Sequence, residues 1–167
     1  MTTIYQRLHS LGIELPVLPP PVVAGYVPSF ASHIRSGDTV YISGRLAKRN
    51  GSVWAGKVGD QLTTEEGVQA ARGVAIEILS VLHFTLKDLS RVKRVARLFV
   101  MVNATTEFLE SHIVANGASE LFLAVLGEPG THARSACGVA QLPFGACVEI
   151  EAIVDVVAER MDVLCEL

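Results

Sequence analysis

Charge is scarce in this chain: Asp, Glu, Lys and Arg make up 19% of its 167 residues, against about 25% in an ordinary globular domain. Aromatic residues are scarcer still, at 6%, so the apolar half of the composition is aliphatic. That excludes a disordered chain. It is also greasy for a monomer that must cover itself with polar surface, which points to a buried subunit interface. A net charge of -3 and a pI near 5.9 offer no basic surface to nucleic acid or to an anionic membrane. The densest basic run, Arg91, Lys93, Arg94 and Arg97, reads as the solvated start of a strand. No window of about 18 residues is free of charge and turn residues, so no membrane-spanning helix is expected. The first residues lack the charged-then-apolar layout of a secretion signal, and the expected location is the cytoplasm.

Cysteine is rare as well. Cys137, Cys147 and Cys165 contain no CxxC pair, so they read as small buried hydrophobes rather than zinc ligands or a disulfide framework. The five histidines, at 9, 33, 83, 112 and 132, have no metal-ligand spacing. There is no GxGxxG, no Walker-type loop, no HExxH and no Gly-x-Ser-x-Gly elbow. No metal and no bound cofactor is expected.

What is present is a regular alternation of elements. Residues 2–11 read as a short helix with Ile4, Leu8 and Leu11 on one face, ended by Gly12. Pro16, Pro19, Pro20 and Pro21 then force an extended arm. Residues 39–43 read as a strand, Asn50-Gly51 as a turn, and 53–57 as the returning partner strand. Thr63 and Glu66 stand at capping-box spacing. Val68, Ala71, Ala75, Ile78 and Leu82 follow as one apolar stripe of a helix running to about Thr85. Residues 92–102 form a long strand. Ala96, Leu98, Val100 and Val102 share one face; Val95, Arg97, Phe99 and Met101 share the other. Residues 106–111 and 118–125 are helical pieces, broken at Glu128-Pro129-Gly130. Residues 134–142 and 147–156 are strands, read as a hairpin around 143–145. The sum is a single α+β domain over 1–167, with 1–36 as an N-terminal helix and proline-rich arm. Two helices cover one face of the sheet, and the other face stays bare in a monomer.

The C-terminal third carries the most specific pattern: His132-Ala-Arg-Ser-Ala, then Leu142-Pro143, then Val148-Glu-Ile-Glu-Ala152. It resembles the RidA/YjgF family of imine deaminases, formerly called L-PSP endoribonucleases. Gly25-Tyr26-Val27, Ile42-Ser43-Gly44, Phe99-Val100 and Asn116 extend the resemblance over most of the chain. The resemblance implies a mixed sheet of the chorismate-mutase-like kind, with two main helices packed on one face. It implies a homotrimer whose sheets face the centre, with clefts between subunits. It also implies hydrolysis of reactive 2-imino and 2-enamino acids to 2-oxo acids and ammonia.

The residue types suit that chemistry. A guanidinium fork at Arg134 can grip a substrate carboxylate bidentately. Glu149 can orient the attacking water and move its proton. The resemblance makes Tyr26 a cover for the cleft, and Ser43, Gly44, Asn116 and Ala136 part of the substrate's surroundings. Glu151 reads as a solvated strand residue. The family often has Cys where this chain has Ala136, which argues against a cysteine-dependent step. If 134–142 and 147–156 form a hairpin, Arg134 lies near Asp155. Glu149 is then about five residues away, roughly 16 Å along the strand. Arg134 and Glu149 of different subunits are therefore expected to share one site. The alternative is a non-catalytic trimer that binds small carboxylates or protein partners. The old ribonuclease label is opposed by the acidic charge.

Overall fold

The computed structural model describes residues 2–17 and 27–157; Tyr26, Pro19, Pro20, Pro21 and Cys165 lie outside the described residues. The first helix, α1 (Ile4–Ser10), starts at a capping box in which Thr3 and Gln6 satisfy each other's backbone N–H groups. Leu8 is its buried anchor. Arg7 Nε donates to the Val125 carbonyl at 2.6 Å, and the Tyr5 hydroxyl accepts from Leu89 N at 3.0 Å, so α1 is pinned to the main body by polar contacts.

Five strands form the main sheet, in the order β1 (His33–Ser36), β2 (Thr39–Leu46), β7 (Val148–Val156), β5 (Val92–Asn103), β6 (Ala133–Val139). The remaining two, β3 (Lys48–Arg49) and β4 (Ser52–Val53), make a small hairpin at the Asn50-Gly51 turn. Both turn residues have positive φ, at 53° and 79°, as a two-residue hairpin loop demands. The expected return strand at 53–57 is thus reduced to two residues. The hairpin partner of β2 is β1, which precedes it and pairs Ser36 with Thr39.

The helix α2 (Thr64–Leu86) begins at the Thr63–Glu66 capping box. Val74, Ala75, Ile78, Leu79 and Leu82 are at most 1% exposed, because α2 is packed against the sheet on one side and α4 (Asn116–Leu126) on the other. The second helical region is displaced from expectation. It starts at α3 (Ser111–Val114), not at residue 106, and continues almost directly into α4.

The C-terminal hairpin does not form. Strand β6 runs parallel to β5, with Arg134 level with Leu98, while β7 lies between β2 and β5, antiparallel to both. Pro143–Gly145 is a 3-10 turn within the connection. A strand such as β7, alternating Val148, Ile150, Ala152, Val154 and Val156 at 0–2% exposure, is satisfied on both edges only at the sheet's centre. The β5–α3–α4–β6 segment is a crossover that returns the chain parallel to itself.

Strand β5 also departs from strict alternation. A register shift between Val95 and Arg97 places Val95 on the buried, helix-covered side with Leu98, Val100 and Val102. The opposite face carries Ile34 and Tyr41, both exposed, together with the half-buried Phe99, Met101 and Ile153. Arg94 at the strand's start pairs with Asp155 at 3.3 Å, and Lys93 and Arg97 face solvent. No helix among the described residues is long and apolar enough to cross a membrane.

Candidate functional site

Strand β6 is an edge strand, and from it Arg134 reaches over the sheet edge to the helical layer. Its Nη1 donates to Asn116 Oδ1 at 2.9 Å and to Ser119 Oγ at 2.9 Å; its Nη2 donates to the His112 carbonyl at 3.1 Å. Asn116 and Ser119 are three apart at the start of α4, so they share one helix face. The fold thus joins two of the expected site residues, Arg134 and Asn116. It adds Ser119, which the sequence reading missed; its signal was the i, i+3 spacing from Asn116. All three acceptors are neutral. Among the described residues no carboxylate pairs with Arg134, so its charge is held in place but not cancelled. Guanidinium has five N–H donors. Three are used here, and Nε–H plus one Nη2–H remain. Ala136 follows two residues on, level with Val100 and packed at the margin of the core.

Glu149 belongs to the other side of the sheet. It lies between Leu46 of β2 and Met101 of β5, and the alternation of β7 turns it away from the buried Val148 and Ile150. Beside it, the β2–β7 register shifts between Ile42 and Arg45, which is the bulge that contains Ser43 and Gly44. A Cβ on Gly44 would overlap Glu149 Oε1. Gly44 therefore gives the carboxylate its room. Burial pushes the Glu149 carboxyl above the usual glutamate range, and the negative charge of Glu151 pushes it further the same way.

Ser43 is engaged by the fold itself: its hydroxyl donates to the Ala31 carbonyl at 2.7 Å. With Ile34, Tyr41, Glu151 and Ile153 it borders an open hollow of about 250 Å³ on the uncovered face. Glu151 is exposed there. Cys147 is fully buried, and burial raises its thiol to about 11. Among the described residues no group of three His, Cys, Asp or Glu is placed to hold a metal ion.

Within one chain the two halves stay apart. Arg134 is level with Leu98 and Ala152; Glu149 is three residues further along and two strands across. That is about 10 Å along and about 10 Å across, or about 14 Å in all. The two side chains also leave opposite faces of the sheet. The hairpin was the wrong route to this separation, and the parallel register gives a similar distance for a different reason.

The comparisons with known proteins agree with this architecture. Residues 5–156 match the family model described as "YjgF/chorismate mutase-like, putative endoribonuclease". Protein TCP17 of Trypanosoma cruzi is 46% identical over 151 residues, covering 89% of this chain and 91% of its own. The crystal structure of Atu1372 from Agrobacterium tumefaciens, a protein of unknown function, superposes with a TM-score of 0.83 at 39% identity. It covers 93% of this chain and 94% of that one. RidA from an Antarctic Psychrobacter superposes with a TM-score of 0.54 at 27% identity, covering 84% of this chain and 98% of that one. With the mixed sheet, the helices on one face and the Ala-Arg-Ser and Glu-Ile-Glu strands in place, the chain belongs to the YjgF/RidA family.

Proposed function

We propose that this chain hydrolyses reactive 2-imino and 2-enamino acids to 2-oxo acids and ammonia, in clefts between the subunits of a homotrimer. One observation carries the reading: Arg134 is fixed by three neutral acceptors and keeps two N–H donors and a full positive charge. A structural arginine in such a place is ordinarily matched by a carboxylate. Here the missing carboxylate is the substrate's, taken as a bidentate pair.

Glu149 supplies the second half, from a neighbouring subunit. Its raised proton affinity makes it a stronger base than an ordinary carboxylate, which suits a group that takes a proton from water. Water adds to the C=N carbon and its proton passes to Glu149. Glu149 hands that proton to the imine nitrogen, giving a carbinolamine. The carbinolamine hydroxyl then passes its proton through Glu149 to the amine nitrogen as the C–N bond breaks and the C=O bond forms. Ammonia leaves and a 2-oxo acid remains. The imine is already electrophilic, so positioning of water and carboxylate does most of what is needed. The uncovered apolar face, with Ile34, Tyr41, Phe99, Met101 and Ile153, is the surface that association would bury. Tyr26 closes the cleft in this reading, and Gly44 and Ala136 offer backbone groups to the substrate.

The test is direct. An amino-acid oxidase generates 2-iminopropanoate in situ, and its decay is followed with the wild type and Arg134→Ala. Faster decay with the wild type alone is the expected result. Decay equal to the blank in both overturns the reading for this substrate class.

A further inference from the structure

We propose that Ser119 and His132 form a positioning relay that sets the orientation of the Arg134 fork. The proposal deepens the function above and rests on it for the identity of the ligand, a small carboxylate. Arginine cannot accept a hydrogen bond, so at the 2.9 Å Arg134–Ser119 contact the hydroxyl oxygen must accept. The Ser119 hydrogen is then free to be donated to His132 Nε2, which lies 2.9 Å away. That bond requires Nε2 to be bare. On the other side of the ring, Nδ1 lies 2.7 Å from the Gly130 carbonyl, which can only accept. That bond requires Nδ1 to carry the proton. The Gly130 contact fixes the proton on Nδ1, so a neutral ring has Nε2 bare to take the Ser119 hydrogen, and the chain then runs one way: Arg134 to Ser119 to His132 to the Gly130 carbonyl.

The end of the relay is anchored by packing. Gly130 lies so close to α4 that a Cβ there would overlap the Phe122 carbonyl. The His132 ring meets the fully buried Phe122 edge-on, with centroids 6.2 Å apart and planes at 75°. Ser119 thus receives a fixed instruction about where its hydrogen goes, and its lone pairs are turned toward Arg134. Asn116 and the His112 carbonyl restrain the guanidinium from two other directions. Without Ser119 one Nη1 hydrogen has no acceptor, and the group can turn. Nε–H and the remaining Nη2–H then no longer face a carboxylate together. Ser119 and His132 are positioning residues; neither is placed at the reacting carbon.

Nitrogen-15 NMR of the intact protein tests the relay without reference to turnover. The wild type is expected to show His132 as the Nδ1–H tautomer and the Arg134 Nη signals resolved by hindered rotation. Ser119→Ala averages those Nη signals, and Ser119→Thr, which keeps the hydroxyl, restores them. An Nε2–H tautomer, or Nη signals unchanged in Ser119→Ala, overturns the relay. Kinetics with 2-iminopropanoate then read its consequence. KM rises about tenfold in Ser119→Ala, the loss of one modest hydrogen bond, with kcat within twofold, and Ser119→Thr recovers. A fall in kcat at unchanged KM overturns a role in carboxylate orientation. An inactive wild type removes the deaminase reading alone, because the tautomer and the Nη signals still decide the relay.

Discussion

Gly44 and Glu149 are shaped around one another: the carboxylate of Glu149 occupies the place where a side chain at residue 44 would begin. The bulge between Ile42 and Arg45 creates that place by shifting β2 relative to β7. The substitution Gly44→Ala forces Oε1 aside, and the flexible end of Glu149 is what yields. Imine hydrolysis is expected to fall about 100-fold in kcat, the scale set by a misplacement of about 1 Å. The thermal midpoint should change little. Parallel assays and melts check both, and full activity in Gly44→Ala would remove Glu149 from the reaction.

The ionisation of Glu149 gives a pH prediction with a definite sign. Burial is the larger cause of its raised pKa and Glu151 the second. The unfolded chain therefore loses this proton at a lower pH than the folded chain does. Stability contributed at Glu149 is largest below the unfolded value and falls as pH rises through the folded value. The base form also appears only above the folded value, so the acidic limb of kcat/KM lies above the ordinary glutamate range. In Glu151→Gln that limb should move to lower pH. A limb that stays in place shows that Glu151 does not act on the titrating group.

Arg134 is asked to do two things at once, and lysine can do only one. Its five N–H groups serve three acceptors and leave two for a carboxylate. An ammonium has three donors in all and no planar edge. Arg134→Lys is expected to raise KM about 10- to 100-fold, the range for losing a charge-assisted hydrogen bond. A KM matching the wild type would show that the charge alone suffices.

Much of this arrangement was legible in the residues. The Thr63–Glu66 capping box fixed the start of α2, and the apolar stripe from Ala71 to Leu82 fixed its buried side. The Ala-Arg-Ser and Glu-Ile-Glu strands marked both halves of the candidate site. The neighbour of β6 was not legible from its own alternation, because a period of two is the same in a hairpin and in a parallel pair. Pro143-Phe144-Gly145 looked like a hairpin turn and is only a bend in an eight-residue connection (140–147). A better signal lay upstream: strand 92–102, helix and strand 134–142 in succession are a crossover, which makes the two strands parallel. The inward turn of Val95 was hidden for a related reason, since a bulge breaks the period without leaving a residue type that announces it. Ser119 went unseen because serine on a helix is usually solvated, and only the 116–119 spacing set it apart.

The cysteines differ sharply in their surroundings. Cys147 is 0% exposed and its thiol is raised to about 11, so almost no thiolate exists at neutral pH. Cys137 is half-buried and lies on β6, three residues past Arg134. A thiol reagent at pH 7.5, followed by peptide mass mapping, should label Cys137 and leave Cys147 unmodified until the protein is unfolded. Cys137→Ser is expected to keep deaminase activity within about twofold, consistent with a reaction carried by positioning rather than by a sulfur nucleophile. Rapid labelling of Cys147 in the native protein would contradict its burial.

Gly117 ties the stability of the helical layer to the site. At the crossing of α2 and α4 a Cβ on Gly117 would overlap the Val68 carbonyl, which is backbone and cannot rotate away. Gly117→Ala must separate the two helices. Overpacking of this kind costs about 1–3 kcal/mol, measurable as a lower urea midpoint. Ala has the better helix propensity by about 1 kcal/mol, so a net loss shows that the close approach outweighs it. Asn116 sits next in sequence and moves with the α4 N-terminus, drawing its Oδ1 away from Arg134. The variant should therefore lose both stability and carboxylate affinity, whereas Thr3→Ala, at the N-cap of α1, should lose about 1 kcal/mol of stability with KM unchanged. The pair separates a general loosening of the helices from a displacement at Asn116: equal KM values in the two variants would mean that the α2–α4 contact does not set the position of the fork.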